Sequence, residues 1–296
     1  MRRVAIIALL ALLVAGACHS SGSGASAPST TAPAPSLPVR NSPSDEDMSV
    51  AVNAYRASVT SGIAQLVADT AALDAAVHGS DRGAAEAAWD VAHLDFVRLG
   101  GAYAAFGDVG GAIDGGPDGL PAGASDPGFT GFRRLERGLW GSEDLTALVP
   151  VVDALSADVG SLAAAFPTDT VAPTDLPLRA HEILENGLQD DLTGSADQGS
   201  GTELAVLDAR VDATDMVLAA LAPVLNDLAP DTIGPIRARL ATLHGVLDGV
   251  RGDGNWPPIA SLPKVSRERV DAAVGGALEA LDDLPGVLGG GGSNPS

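Results

Sequence analysis

The residues best suited to ion chemistry in this chain of 296 residues lie in two predicted helices. Arg133 and Glu136 are three residues apart, so they share one helical face. A guanidinium cannot ligate a metal and would neutralise the carboxylate, so Glu136 also fits a solvent-facing residue paired with Arg133 or Arg137. Glu182 and Glu185, in the segment AHEILE, likewise fit either a cation site or a solvated helix face.

The histidines of these helices do not form a recognisable catalytic motif. His181 lies on the same stripe as Leu184 and Leu188, which favours a buried, hydrogen-bonded histidine over a metal ligand. A zinc peptidase helix needs a second histidine four residues after the first, and Glu185 occupies that position. The sequence also lacks a Gly-x-Ser-x-Gly nucleophile motif, so we predict no enzymatic activity.

The N-terminus predicts export and lipid attachment. Residues 1–17 combine Arg2 and Arg3, an apolar run and small residues directly before Cys18, as in a lipoprotein signal peptide. We expect cleavage before Cys18 and acylation of this cysteine, which anchors the protein to the outer face of the cell membrane. The alternative is an ordinary secreted protein with a spare thiol. With one cysteine, the chain cannot form an internal disulfide.

The composition separates flexible ends from a folded region and excludes some partners. Residues 18–45 are rich in Ser, Pro and Ala and predict a disordered tether, and residues 289–296 predict a disordered tail. The formal charge is −21, and removal of the signal peptide leaves 15 bases against 38 acids, or −23. This charge argues against nucleic acid and against electrostatic binding to anionic lipid.

The remaining residues predict an all-α fold, because apolar residues recur every three or four positions. We expect eight helices, arranged as two antiparallel four-helix halves over residues 46–167 and 168–288. Ser80 or Asp81 should cap the second helix, and the fourth should start near Pro150. Residues 107–128, rich in Gly, Asp and Pro, predict a long ordered loop.

Several sequence blocks, in this order, resemble one known family. They are VAVNAYRASV at 50–59, AFGDVGGAID at 105–114, GFTGFRRLERGLW at 128–140, AHEILE at 180–185 and ERVDAAVGGALEAL at 268–281. Together they are similar to the EfeO-like lipoproteins of the imelysin superfamily, which are extracytoplasmic components of bacterial iron uptake. The resemblance implies one imelysin-like domain, made of two bundle-like halves with a ligand cleft between them.

The resemblance also implies a metal site and shows where this chain departs from it. The family usually has histidine at the position of Arg133, so that His and Glu three residues apart reach one ion. By position, Asp114, Glu136 and Glu182 are the implied metal ligands, although Asp114 also fits a turn before Gly115. Such a mostly oxygen site suits iron or another divalent ion.

Two further positions of the implied site have lost their carboxylates. Where relatives carry two glutamates on the second helix, this chain has Val97 and Gly100. His93 lies one turn before Val97 and could supply an imidazole in their place. The resemblance therefore predicts a lipid-anchored metal-binding protein that serves a membrane permease alongside a haem-peroxidase-like component. The alternative is a paralogue that has lost metal binding and acts as an interaction protein or binds another ligand.

Overall fold

The first helix is set by a capping box and a long apolar stripe. In the computed structural model, which describes residues 42–252 and 254–289, the side chain of Ser44 accepts a hydrogen bond from the Asp47 amide, and Asp47 bonds back to the Ser44 amide. The buried stripe runs from Met48 to Val77 and includes Thr70. The predicted signal peptide, Cys18, most of the tether and most of the tail lie outside the described residues.

The described residues are helical without a strand, which confirms the all-α prediction. The α-helices in chain order are α1 (Asp45–His78), α2 (Arg82–Val97), α3 (Tyr103–Asp114), α4 (Gly131–Trp140), α5 (Leu145–Ala165), α6 (Asp175–Asn186), α7 (Glu203–Leu228), α8 (Pro230–Arg251), α9 (Lys264–Leu281) and α10 (Leu284–Leu288). A π-helical turn, Gly187–Asp191, continues α6. Asp81 caps α2 through its side chain, which accepts from the Ala84 amide.

The helices enclose one continuous hydrophobic core. Helix α1 packs chiefly against α2 and α5, while α6 and α8 pack against α7 and α9. Helix α7 also contacts α1 and α2, so it connects the two groups of helices. Most of the buried apolar side chains of both groups belong to the same cluster, while Val97, Val206 and Ala209 form a small separate one. The division at residues 167 and 168 into two halves stays a prediction.

The expected loop over residues 107–128 is wrong in its first third. Helix α3 extends to Asp114, with a kink at Gly107, whose φ is +53°. Phe106 and Ile113 are buried, and their burial outweighs the poor helix propensity of the surrounding glycines. The loop therefore begins at Gly115, and α3 delivers Asp114 at its last position.

Helix α5, predicted to start near Pro150, begins at the first residue of its apolar stripe, Leu145, because Asp144 caps it there. The Asp144 side chain accepts from the Thr146 amide, and α5 begins at Leu145 with Pro150 inside it. Helix α5 is the one helix of the described chain that is long and apolar enough to cross a membrane. Leu148, Val152 and other buried side chains place it in the core, against α1, α3 and α4.

Candidate functional site

Helix α4 presents Arg133 and Glu136 to the interior rather than to solvent. The helix begins at Gly131, where φ is +71° and an added Cβ would lie 2.1 Å from the Ile113 carbonyl oxygen. Only glycine tolerates both this backbone conformation and this close approach. The start of α4 therefore lies directly against the end of α3, which brings Asp114 close to Arg133.

Four charged or polar side chains meet at this point and are called the buried cluster: His93, Asp114, Arg133 and Glu136. Asp114 Oδ1 lies 3.2 Å from His93 Nε2 and 3.1 Å from Arg133 Nε. Arg133 Nη1 lies 3.5 Å from Glu136 Oε2. His93 and Glu136 are fully buried and Arg133 is 7% exposed. The guanidinium thus lies between two carboxylates in the interior.

The imidazole of His93 is held by aromatic packing. Its ring stacks on Trp89, with the ring centroids 4.5 Å apart, and also contacts Phe132. Trp89 Nε1 in turn donates to the Phe132 carbonyl, which fixes α2 against α4. Burial lowers the pKa of His93, so the ring is neutral near pH 7.

The two carboxylates of the buried cluster are held in different ways. Burial alone would raise the pKa of Asp114, but Arg133 and His93 beside it hold this pKa below its ordinary value. Burial raises the pKa of Glu136 to about 7, although Arg133 and hydrogen bonds from Ser200 and Gln198 oppose the rise. Asp114 is therefore the permanent anion of the buried cluster.

The loop before α7 closes over Glu136. Glu136 Oε1 accepts from the Gln198 amide at 2.8 Å, the Ser200 amide at 3.2 Å and the Ser200 hydroxyl at 2.6 Å. Arg133 Nη1 donates to the Ala196 carbonyl at 3.2 Å, so the same loop contacts both residues of α4. Glu136 Oε2 remains without a well-aligned hydrogen-bond donor among the described residues.

A second buried ion pair lies beside the buried cluster. Arg210 Nε on α7 donates to Asp191 Oδ2 at 2.6 Å, and Asp191 is the last residue of the π-helical turn. A cavity of about 300 Å³ is lined by residues of both groups. Its lining residues include Tyr103, Asp114, Arg133, Asn186, Gln198 and Arg210. The cavity is polar and carries fixed charges of both signs.

Comparison with known proteins identifies the family of this chain. The model of the family described as Peptidase_M75, Imelysin, matches residues 51–286. The chain belongs to the imelysin family. Among curated imelysin-family relatives, the protein named "Iron uptake system component EfeO" is 27% identical over 239 residues in Escherichia coli strain K12, in Escherichia coli O157:H7 and in Shigella flexneri. These matches cover 81% of this chain and 64% of each relative, so the chain spans under two thirds of their length.

Three of the four predicted ligands of this imelysin-family protein come together. His93, Asp114 and Glu136 form the buried cluster with Arg133, whereas Glu182 lies elsewhere on α6. Glu182 Oε2 is 2.5 Å from Arg179 Nη1, and its side chain is 30% exposed. The alternative for Glu136 was a solvent-facing residue paired with Arg133. The pairing with Arg133 is present, but the side chain is buried.

The positions that lack the implied imelysin carboxylates face apolar surroundings. Val97 packs with Val206 and Ala209 of α7. A Cβ at Gly100 would meet the Ile183 side chain at 3.4 Å. Both positions therefore pack against apolar side chains.

One prediction about a histidine is wrong, and one buried pair was missed. His181 is not buried: its side chain is 26% exposed and its Nδ1 lies 3.8 Å from Glu185 Oε2. Arg210 and Asp191 were not predicted as site residues. A signal for Arg210 was present, because it lies beside Val211 and one turn before Thr214 on the buried face of α7. A charged residue on a buried face needs a buried partner.

Proposed function

We propose that this imelysin-family protein is the extracytoplasmic binding component of an iron-uptake system. It is anchored to the membrane through Cys18 and presents metal to a membrane permease, alongside a haem-peroxidase-like component. The relatives named for iron uptake support the process, and the predicted signal peptide directly before Cys18 supports the location. The helix carrying His181 and Glu182 lacks a zinc-peptidase motif, so the proposed role is binding and not catalysis.

The observation that carries the proposal is a set of buried nitrogen and oxygen atoms that contact one another or Arg133 but form no well-aligned hydrogen bond. His93 Nε2, Asp114 Oδ1 and Glu136 Oε2 are buried and lack aligned hydrogen-bond partners within residues 42–252 and 254–289. One imidazole nitrogen and two carboxylate oxygens suit iron and other borderline or hard cations. Because Arg133 lies among these atoms, a metal ion would bind there as Arg133 moves aside.

Metal titration of the purified protein tests these ligands. Calorimetry with Fe(II), Fe(III), Cu(II) and Zn(II) should detect a site that Asp114→Asn or Glu136→Gln weakens at least tenfold, which is about 1.4 kcal/mol. Both substitutions keep the side-chain shape and remove a charged ligand. Glu182→Gln tests the fourth predicted ligand in the same way.

The control for this titration is Glu185→Gln, which changes a solvent-exposed carboxylate one turn beyond Glu182 and should leave the affinity unchanged. Circular dichroism establishes that each variant is folded before its affinity is compared. Equal affinities for the wild type, Asp114→Asn and Glu136→Gln would refute the buried cluster as the metal site.

A second candidate function is favoured by Arg133. Its guanidinium lies 3.1 Å from Asp114 and 3.5 Å from Glu136, so an internal cation already neutralises the carboxylates that a metal would bind. A guanidinium cannot itself ligate a metal. In this second proposal the protein has lost metal binding and acts as an interaction protein, or binds another polar ligand in the adjoining cavity.

The substitution Arg133→His distinguishes the two candidates. It restores the His-x-x-Glu spacing with Glu136 and removes the internal cation, so metal affinity should rise at least tenfold if Arg133 is what blocks the site. The matched control is Arg134→His, which changes the neighbouring arginine that pairs with Glu143 instead. No gain with Arg133→His would indicate that the lost carboxylates at Val97 and Gly100 limit binding.

A further inference from the structure

A second group of metal-ligating side chains lies on the surface, away from the buried cluster. Asp74 and His78 are one turn apart at the C-terminal end of α1, and Asp153 lies on α5. His78 Nε2 is 2.8 Å from Asp153 Oδ1 and 3.8 Å from Asp74 Oδ1. One ligand atom from each residue lies within 4.8 Å of the other two.

These separations are close to those that a single ion imposes on its ligands. Zinc binds histidine nitrogen and carboxylate oxygen at roughly 2.0–2.2 Å, so neighbouring ligand atoms in a tetrahedral site are roughly 3.4 Å apart. The observed distances of 2.8 and 3.8 Å lie on either side of this value. The three side chains are 31–54% exposed, so they can rotate by the small amount required and leave room for water as a further ligand.

The surroundings orient this group and favour a cation. The hydroxyl of Ser156, on α5, donates to Asp74 Oδ2 at 3.2 Å, and this contact leaves Oδ1 of the same carboxylate directed towards His78. His78 is the last residue of α1, where the carbonyl ends of the helix dipole attract positive charge. Helices α1 and α5 pack against each other, so the ligands come from two mutually fixed elements.

We propose that Asp74, His78 and Asp153 bind a divalent first-row transition ion such as Zn²⁺ and so connect the end of α1 to α5. The ligand set of one imidazole and two carboxylates suits borderline divalent ions. This surface site shares no residue with the buried cluster, so it does not depend on the proposed iron-binding function.

The chain contains a matched control for this geometry. His244 also lies between two aspartates, but Asp208 faces its Nδ1 at 3.4 Å and Asp215 faces its Nε2 at 3.3 Å. The two nitrogens of an imidazole point in different directions, so one ion cannot bind His244 together with both aspartates. The two sites therefore match in composition and differ in the placement of the ligand atoms.

Zinc titration of the full chain carrying Asp114→Asn tests the proposal, because this background removes a ligand of the buried cluster. Asp153 beside His78 raises the pKa of the imidazole, so the titration is run at about pH 8, well above the ordinary histidine pKa. Calorimetry should detect one zinc site, and His78→Ala or Asp153→Ala should weaken it at least tenfold. Zn²⁺ should also raise the Tm of the parent, and this rise should disappear in both variants.

The variant His244→Ala should retain both the zinc affinity and the zinc-dependent rise in Tm. All three substitutions are at partly exposed positions, and the Tm without zinc checks that each variant is folded. The proposal is overturned if the parent does not bind zinc, if His78→Ala and Asp153→Ala bind as the parent does, or if His244→Ala loses as much affinity as they do. In each of these cases His78 and Asp153 form an ion pair only.

Discussion

Replacing Arg133 with methionine should lower the free energy of unfolding by about 3 kcal/mol, the cost of breaking a buried ion pair from one side. Methionine fills a similar volume but leaves Asp114 and Glu136 buried without the guanidinium between them. Chemical denaturation of both proteins measures the difference. The control is Arg134→Met, which removes the partly exposed pair with Glu143 and should cost about 1 kcal/mol or less.

The loss in Arg133→Met should be smaller at low pH. Arg133 lowers the pKa of His93, so its removal raises that pKa, and a protonated His93 can then neutralise Asp114. Of two proteins with the same unfolded state, the one with the higher folded-state pKa gains stability relative to the other as the pH falls, so the difference between Arg133→Met and the wild type should shrink. Denaturation at about pH 5.5 and about pH 8 measures this dependence. An equal loss at both values, or an equal loss in Arg134→Met, would contradict the assigned role of Arg133.

Replacing Gly131 with alanine should lower the free energy of unfolding by about 3 kcal/mol. The left-handed backbone costs an L-residue roughly 1–2 kcal/mol, and overpacking adds roughly 1–3 kcal/mol. The added Cβ would lie 2.1 Å from the Ile113 carbonyl oxygen and 2.4 Å from that of Ala112, so α4 must move away from α3. Thermal or chemical unfolding measures the effect.

The control for Gly131→Ala is Gly111→Ala, within α3. An added Cβ at Gly111 meets no atom within 4 Å, and alanine has the better helix propensity, so this variant should be more stable by about 0.5–1 kcal/mol. Similar effects of the two substitutions would show that the α3–α4 contact does not limit stability. The two changes in stability have opposite signs because Gly131 and Gly111 differ in backbone conformation and in the space beside them.

Helix content could be predicted from the sequence because it depends on local periodicity. The stripe of α1, including the polar Thr70, and the cap at Asp81 are both present. The family blocks likewise identified an imelysin-family chain. Of the three ligands that the resemblance implied, Asp114 and Glu136 both lie beside Arg133, whereas Glu182 lies elsewhere. Each of these inferences used residues that are close in sequence, or the order of several sequence blocks that resemble one family.

The remaining features depend on contacts between distant segments. Helix α3 forms despite its glycines because Phe106 and Ile113 are buried in the core. Helix propensity alone does not indicate this burial. The burial of Glu136 depends on the loop at Gln198 and Ser200, more than 60 residues away. A spacing of three residues places Arg133 and Glu136 on one face, but it does not determine whether that face is inside.

Because Arg133 lies between the two carboxylates, the folding of this protein does not require a bound metal ion. Where carboxylates are gathered around a free ion, the folded state depends on the concentration of that ion. Here the neutralising charge is the guanidinium of Arg133, which is part of α4 and is present whenever the chain folds. The protein can therefore complete its core before it meets any metal ion.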